Sequence, residues 1–436
     1  MSLYEELINP GSALHRYLAL ALICLLGFGN NFCYDAPGAL EAQIEDAMSI
    51  GTSQFTSLYA LYSWPNVIMC FFGGLLIDRV LGIRLGSILF LTLLVIGQAF
   101  FALGAFVGEF WIMQVGRFIY GLGGESLAVA QSTYVVAWFK GRELNAVFGF
   151  QMTVSRVGST LAFNTLHLVF NSNKALYPPR IALGYTLLIA GLTCVLSLNA
   201  ALILSVLDKR AERMLGREMP QPEEAIRLKD ATNFKSEFWM LTLICVSFYL
   251  TIFPFVAIGS KFFQTKWNYP QSEADAIDSV IYMISAVSSP LIGFVVDKVG
   301  RNLIFLLVSC ILVLGSHMLM AVTFINQWIP MIALGIGYSI MSSSLWPLVT
   351  LVVPQQQLGT AYGVMQAIQN LGLALTANLT GILIDWKGYI FVEMFFVLWV
   401  SIALICTLLL IVQDHRRKGC LNLTTAQRRM RELHDD

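Results

Sequence analysis

The residue pattern predicts an all-α membrane protein of twelve transmembrane helices in two six-helix halves, with both termini cytosolic. Composition is the first ground. Of 436 residues, 57% are hydrophobic and 12% charged, with mean hydropathy +0.69, where a soluble chain carries roughly 25% charged residues. Apolar runs are the second ground: a bilayer-spanning helix needs about 20 residues, and runs of that order recur along almost the whole chain. Lipid offers no partner to an open sheet edge, so such runs must be helices. The third ground is a charged loop used twice. Gly74-Leu-Leu-Ile-Asp78-Arg79-Val-Leu-Gly82-Ile-Arg84 returns as Gly293-Phe-Val-Val-Asp297-Lys298-Val-Gly300-Arg301, with one fewer residue before its inner glycine. The two aspartates lie 219 residues apart, half the chain, which points to a duplicated six-helix unit.

The runs fall near 16–40, 54–77, 85–106, 110–138, 145–170 and 181–207 in the first half. In the second they fall near 237–260, 275–296, 303–324, 327–352, 358–384 and 389–412. Residues 1–207 form the first half, 208–236 a polar cytosolic linker, 237–412 the second half and 413–436 a cytosolic tail. With the N-terminus inside, cytosolic segments collect twenty of the 27 Lys and Arg, against Lys174, Arg180, Lys261, Lys266 and Lys387 outside. That imbalance sets the orientation by the positive-inside rule. The first run is too long for a cleavable signal and lacks a small-residue cleavage site, so it reads as a span. Seven of eight cysteines lie within spans and read as small packing residues, not as a disulfide framework.

A second echo strengthens the duplication: Gly121-Leu-Gly123 matches Gly335-Ile-Gly337, and Leu144 and Gly149 match Leu358 and Gly363 at the same offset of 214. Parallel halves with a solute site between them near mid-membrane are the expected consequence.

Two charges inside spans carry the functional expectation. Glu125 sits midway along the fourth run and Arg156 midway along the fifth, where an intramembrane charge costs about 2.5–3.5 kcal/mol on insertion scales. Antiparallel neighbours bring the two to similar depth. An acid and a guanidinium suit a zwitterion, the acid for an ammonium and Arg156 for a carboxylate. Equally, they could pair with each other and hold two helices together. At the 214 offset their counterparts are the neutral Ser339 and Asn370, which implies a cavity polarised toward one half. Trp346, two turns beyond Ser339 on the same face, either looks into that cavity or packs against neighbours. Asn31 and Tyr34 share a face of the first span and are expected as polar cavity contacts, with Tyr62 a further lining candidate. His317 and Glu393 read as isolated polar groups, Glu393 being the reserve candidate for proton coupling.

The duplicated loop supplies gating candidates. Asp78 and Asp297 end helices, where a carboxylate opposes the dipole unless paired; Arg79, Lys298 and Arg301 are the expected partners in a latch. Arg117, of the Arg117-x-x-x-Gly121-x-Gly123 pattern, is another cation of the right kind but lies too far along its span to reach either aspartate. No nucleotide loop, metal-ligand cluster or nucleophile–base pair is visible, so an enzyme, a cofactor, a metal and a nucleic-acid partner are not expected. The bilayer is the expected surrounding.

The second loop copy fits the G-x-x-x-D-[RK]-x-G-R signature, and the chain resembles the major facilitator superfamily. Phe32-Cys-Tyr-Asp-Ala-Pro, Tyr62-Ser-Trp-Pro-Asn-Val, Gly123-Gly-Glu-Ser-Leu-Ala-Val-Ala-Gln and Leu358-Gly-Thr-Ala-Tyr-Gly closely resemble its domain-containing protein 1 group, known as lysosomal dipeptide uniporters. The resemblance implies facilitated export of dipeptides, cationic ones included, from lysosome to cytosol. It implies that Glu125 and Arg156 hold the peptide termini, and that a heavily glycosylated lysosomal membrane protein shields the transporter. Neither Asn-Leu-Thr sequon is usable on this reading, since Asn378 lies inside a span and Asn422 in the cytosolic tail. Tyr4-x-x-Leu7 fits a tyrosine-type sorting pattern. Two other readings remain open at this stage. An organic-anion or monocarboxylate carrier would need Arg156 alone, and a non-transporting nutrient sensor or scaffold would bind solute without flux.

Overall fold

A computed structural model describes residues 12–139, 144–215, 234–353, 358–417, 419, 421–424 and 427. Among them are thirteen α-helices and no strand, apart from one isolated bridge. They are α1 Ala13–Ala39, α2 Glu41–Met48, α3 Thr52–Leu76, α4 Gly82–Val107, α5 Phe110–Phe139, α6 Leu144–Lys174 and α7 Pro179–Leu215. They continue with α8 Ser236–Trp267, α9 Gln271–Val299, α10 Asn302–Val322, α11 Trp328–Val352, α12 Leu358–Lys387 and α13 Tyr389–Arg416. Nine of these, α1, α4 and α7–α13, are long and apolar enough to cross a membrane. The three other long helices, α3, α5 and α6, are the ones that carry Asn66, Glu125, Gln131 and Arg156. The short α2, ended by Ser49 in the left-handed region (φ 54°), has no counterpart among the apolar runs.

The chain divides into two compact units, 1–50 with 61–225, and 51–60 with 226–436. In the first, α1 packs on α6 and α7, and α4 on α5 and α7. In the second, α8 packs on α12 and α13, and α10 on α11 and α13. The same four pairings therefore occur in each unit, in the same chain order. The α4–α5 crossing is made by backbone meeting backbone. A methyl group on Gly97 would lie 2.6 Å from Tyr120 N and 2.7 Å from Gly116 O, and one on Gly116 would lie 2.7 Å from Gly97 O. Small residues that admit such approach are a main source of helix association where lipid supplies no hydrophobic drive. The first turns of α3 belong to the second unit, where Ser53 N donates to Asp385 Oδ2 at 2.9 Å.

The two copies of the charged loop differ as their lengths demand. α9 runs unbroken to Val299 and turns at Gly300 (φ 72°) and Arg301 (φ 53°). The first copy has one residue more, and Ile77–Leu81 form a π-helical turn before Gly82 (φ 68°). A π turn absorbs a single inserted residue without breaking the helix, so both copies deliver a glycine to the same left-handed corner. Lys298 and Arg301 are exposed. The side chains of Asp78, Arg79 and Asp297 lie outside the described residues.

α7 continues to Leu215, through Asp208, the first residue of the expected linker. Asp208 is buried and accepts from Arg84 Nε (2.7 Å) and Trp138 Nε1 (3.0 Å), and Glu212 accepts from Arg84 Nη2. Those contacts tie the ends of α4, α5 and α7 together. Seven cysteines are free and buried, as small apolar packing residues are; Cys420 lies outside the described residues.

Candidate substrate site

The site is built on a broken turn. Pro37 lies inside α1, and a proline has no N–H to give the carbonyl four residues back. That carbonyl belongs to Cys33. Arg117, fully buried on α5, donates from Nη1 to Cys33 O and from Nη2 to Tyr34 O, both at 3.2 Å. Its guanidinium carbon also stands 5.2 Å from the Tyr120 ring centre, 5.6 Å from Tyr62, 5.7 Å from Phe101 and 5.8 Å from Tyr34. An arginine therefore fills the gap a proline opens, walled by four aromatic faces.

Tyr62 of α3 comes next to it through two glycines of α5. Its main-chain carbonyl lies where a Cβ on Gly121 would be, and its phenol where a Cβ on Gly124 would be. The Gly121-Leu-Gly-Gly124 run is thus a notch in which Tyr62 lies along the helix. Gly123 faces the other way, onto α4 at Phe90 O. At the end of the notch the Tyr62 phenol lies against Gly124, the residue before Glu125. Tyr34 meets the Tyr62 ring edge-on at 4.7 Å. Tyr62 is buried, whereas Glu125 and Tyr34 are half-buried and keep one side open.

Contacts along α1 fix the depth of Glu125. α5 meets α1 through Arg117 at Cys33 and Tyr34, through Tyr120 at Asn30 O (2.8 Å) and through Gln131 at Ile23 O (2.7 Å). Glu125 falls between the last two. On α6, a Cβ on Gly27 would lie 2.8 Å from Ser155 Oγ, and one on Gly158 would lie 2.7 Å from Phe28 O. Arg156, half-buried, therefore lies at the depth of that turn of α1, on α6. Asn31 sits one turn further on, half-buried, with its Nδ2 donating to Gly27 O at 2.9 Å. The first unit thus holds Tyr34, Tyr62, Asn31, Glu125 and Arg156 at neighbouring depths along α1.

The second-unit residues are placed differently. Ser339 is fully buried, donates to Gly335 O (2.8 Å) and accepts from Ser288 (2.8 Å), which seats it in the α9–α11 contact. Asn370 is buried and donates to Gln366 O at 3.0 Å. Trp346 is half-buried with its ring 5.9 Å from Tyr362, whose hydroxyl donates to Trp346 O at 3.1 Å. The expectation that His317 and Glu393 are isolated is corrected: His317 Nδ1 and Glu393 Oε2 are 2.9 Å apart, both closed from solvent. They sit on different spans, and pattern along one chain cannot pair groups 76 residues apart.

Sequence reasoning missed Arg117 as part of this cluster. The usable signal was Pro37: a proline inside a span leaves a carbonyl that some donor must meet, and Arg117 is one of two cations inside the runs of this half.

Comparison with known proteins agrees with this architecture. The Major Facilitator Superfamily pattern matches residues 19–377 and 239–430. The "Lysosomal dipeptide transporter MFSD1" of Danio rerio is 49% identical over 431 residues, spanning 98% of this chain and 93% of that protein. The protein of the same name from Homo sapiens is 48% identical over 424 residues, 97% of this chain and 91% of that one. Among solved structures, a D-xylose-proton symporter superposes with TM-score 0.69 at 13% identity, covering 90% of this chain and 97% of the other. A bacterial homologue of the human drug peptide transporters PepT1 and PepT2 gives 0.67 at 15% identity, covering 93% and 100%. At such identities the structures speak for the fold alone, while the family pattern and the near-half identity over nearly full length carry kinship. The chain belongs to the Major Facilitator Superfamily.

Proposed function

We propose that the protein is a lysosomal dipeptide transporter, a twelve-span uniporter with cytosolic termini that releases dipeptides to the cytosol by alternating access. Glu125 takes the peptide ammonium, Arg156 its carboxylate, and Asn31, Tyr34 and Tyr62 line the same site. Ser339, Asn370 and Trp346 are the contributions of the second half, and Asp78, Arg79, Asp297, Lys298 and Arg301 the gate. The observation that supports the reading is a pair of opposite charges at one depth along α1 on two helices, with Glu125 half-buried and next in sequence to the glycine that the Tyr62 phenol abuts, in a chain nearly half identical to lysosomal dipeptide transporters. Uniport follows from the lack of a titratable chain leading away from Glu125 in the sequence. A glycosylated lysosomal membrane partner belongs to the same proposal: Asn378 lies within α12 and Asn422 on the tail, so neither sequon offers the transporter a sugar coat of its own.

The test is dipeptide flux in proteoliposomes, with and without a pH gradient. Glu125→Gln and Arg156→Ala each abolish flux while protein remains in the membrane, and a gradient leaves wild-type flux unchanged. Normal dipeptide flux in both variants refutes the assignment. Loss in Arg156→Ala with Glu125→Gln unaffected points instead to a carrier of organic anions.

A further inference from the structure

We infer that the end of α7 is a binding site for anionic phospholipid headgroups, formed by Lys209, Arg210 and Arg213. The inference needs only the bilayer that members of this family span, and it does not depend on the roles of Glu125 and Arg156.

The register of α7 carries the argument. Leu188, Leu192, Val195, Leu202 and Val206 recur at helical spacing and are exposed, Val206 to 69%. On a membrane-spanning helix such an exposed apolar stripe faces lipid. Its one polar member, Asn199, turns its amide onto Val195 O at 2.9 Å, as a side chain without water must. From Leu188 to Val206 the stripe runs about 27 Å at 1.5 Å per residue, against a hydrocarbon core of about 30 Å. Lys209 and Arg213 continue the same line by steps of three and four, and Arg210 lies two turns beyond the exposed Ile203. All three cations are exposed. They begin about 5 Å past the end of the stripe, at the depth of the headgroups.

The other side of the same turns faces the protein. Ala201, Leu204, Asp208 and Ala211 are buried, and Asp208 and Glu212 both accept from Arg84 of α4. The acids of α7 therefore answer a cation within the unit. Among the described residues no carboxylate pairs with Lys209, Arg210 or Arg213. The last helix of the second unit ends differently. α13 has 28 residues against 37 in α7, its Arg417 pairs with Glu237, and its Asp414 holds the returning tail.

Two guanidinium forks and an ammonium at headgroup depth suit a phosphodiester, since each fork can bond two oxygens at once. The acyl chains of the same lipid would lie along the stripe above. A zwitterionic headgroup offsets its phosphate with its own cation, so three unpaired cations select a headgroup of net negative charge. Each cation near an anionic surface strengthens attachment roughly fivefold.

The experiment follows thermal unfolding of the full chain in an uncharged detergent as phosphatidylglycerol or phosphatidylcholine is added. Phosphatidylglycerol is expected to raise the unfolding temperature saturably, and phosphatidylcholine to raise it far less. Replacing the three together, as Lys209→Gln, Arg210→Gln and Arg213→Gln, should weaken half-saturation by about tenfold or more. The unfolding temperature without lipid should stay the same, because the three side chains hold nothing else in place. Lys209→Arg with Arg210→Lys and Arg213→Lys keeps the charge and should keep the shift. An undiminished shift in the glutamine variant, or equal shifts from the two lipids, overturns the site. An equal shift from inorganic phosphate at the same concentration assigns the cations to free anions and overturns the lipid.

Discussion

His317 Nδ1 on α10 faces Glu393 Oε2 on α13 at 2.9 Å, with the Phe255 and Phe396 rings 5.3 and 5.4 Å from the imidazole. Two ionisable side chains closed from solvent and ringed by aromatic groups cannot lose one member cheaply. Removing one partner of such a pair costs about 3–5 kcal/mol, because the other is left buried without it. Glu393→Ala should therefore lower the thermal unfolding temperature of the purified protein well below that of Glu393→Gln, whose amide keeps a hydrogen-bonding oxygen. Neither change should alter KM for dipeptides. Unchanged unfolding in Glu393→Ala would show that the pair contributes nothing.

The α4–α5 crossing makes a second prediction. Gly97 and Gly116 leave no room for a Cβ, and the atoms in the way are backbone, which no rotamer change can move. Gly116→Val should force the helices apart and prevent accumulation of folded protein, whereas Gly293→Ala, at a glycine with open space around it, should be silent. Equal yields from the two by size-exclusion chromatography would contradict the argument.

Asp208 makes a third. Its two oxygens serve a guanidinium and an indole N–H from two different helices. Asp208→Ala leaves both donors at a partly closed site, and a hydrogen bond to a charged group is worth about 1.5–3 kcal/mol. Asp208→Asn keeps one acceptor oxygen and should recover part of the loss. Denaturation that shows no order among wild type, Asn and Ala would count against this role.

Much of this was legible in the chain before any coordinates. Long apolar runs locate the helices because lipid forces each run to satisfy its own backbone. The twin loops mark the duplication because an aspartate followed by a cation and a glycine recurs at half-length. Glu125 and Arg156 stand out because charge is rare within spans. What escaped were relationships across space. The seat of Arg117 joins the turn that Pro37, eighty residues earlier, opens to the ring of Tyr62, and no periodicity links the three. Ser339 was aligned with Glu125 by offset, but no offset names its partners, Gly335 O and Ser288. The extra residue of the first loop was visible, but its absorption into a π turn was not.

The C-terminal tail yields the last prediction. Beyond α13 the chain returns to the second copy of the loop: Arg301 N donates to Leu423 O at 3.1 Å, and Gly300 bridges Thr424. Asp414 holds the return, accepting from Leu421 N at 3.2 Å on one oxygen and from Asn422 N at 3.1 Å on the other. Two amides on one carboxylate organise a turn, and the left-handed backbone at Gly300 and Arg301 leaves the amide of Arg301 facing outward to receive it. Asp414→Ala removes both acceptors at once, for a loss of about 1–3 kcal/mol, which loosens the return of the tail. Brief trypsin treatment of the folded protein should then cleave after Arg417 faster in Asp414→Ala than in wild type. Asp414→Asn, which retains a single carbonyl acceptor, should fall between them. Cleavage at the same rate in all three would mean that the bridge to Gly300, and not Asp414, keeps the tail in place.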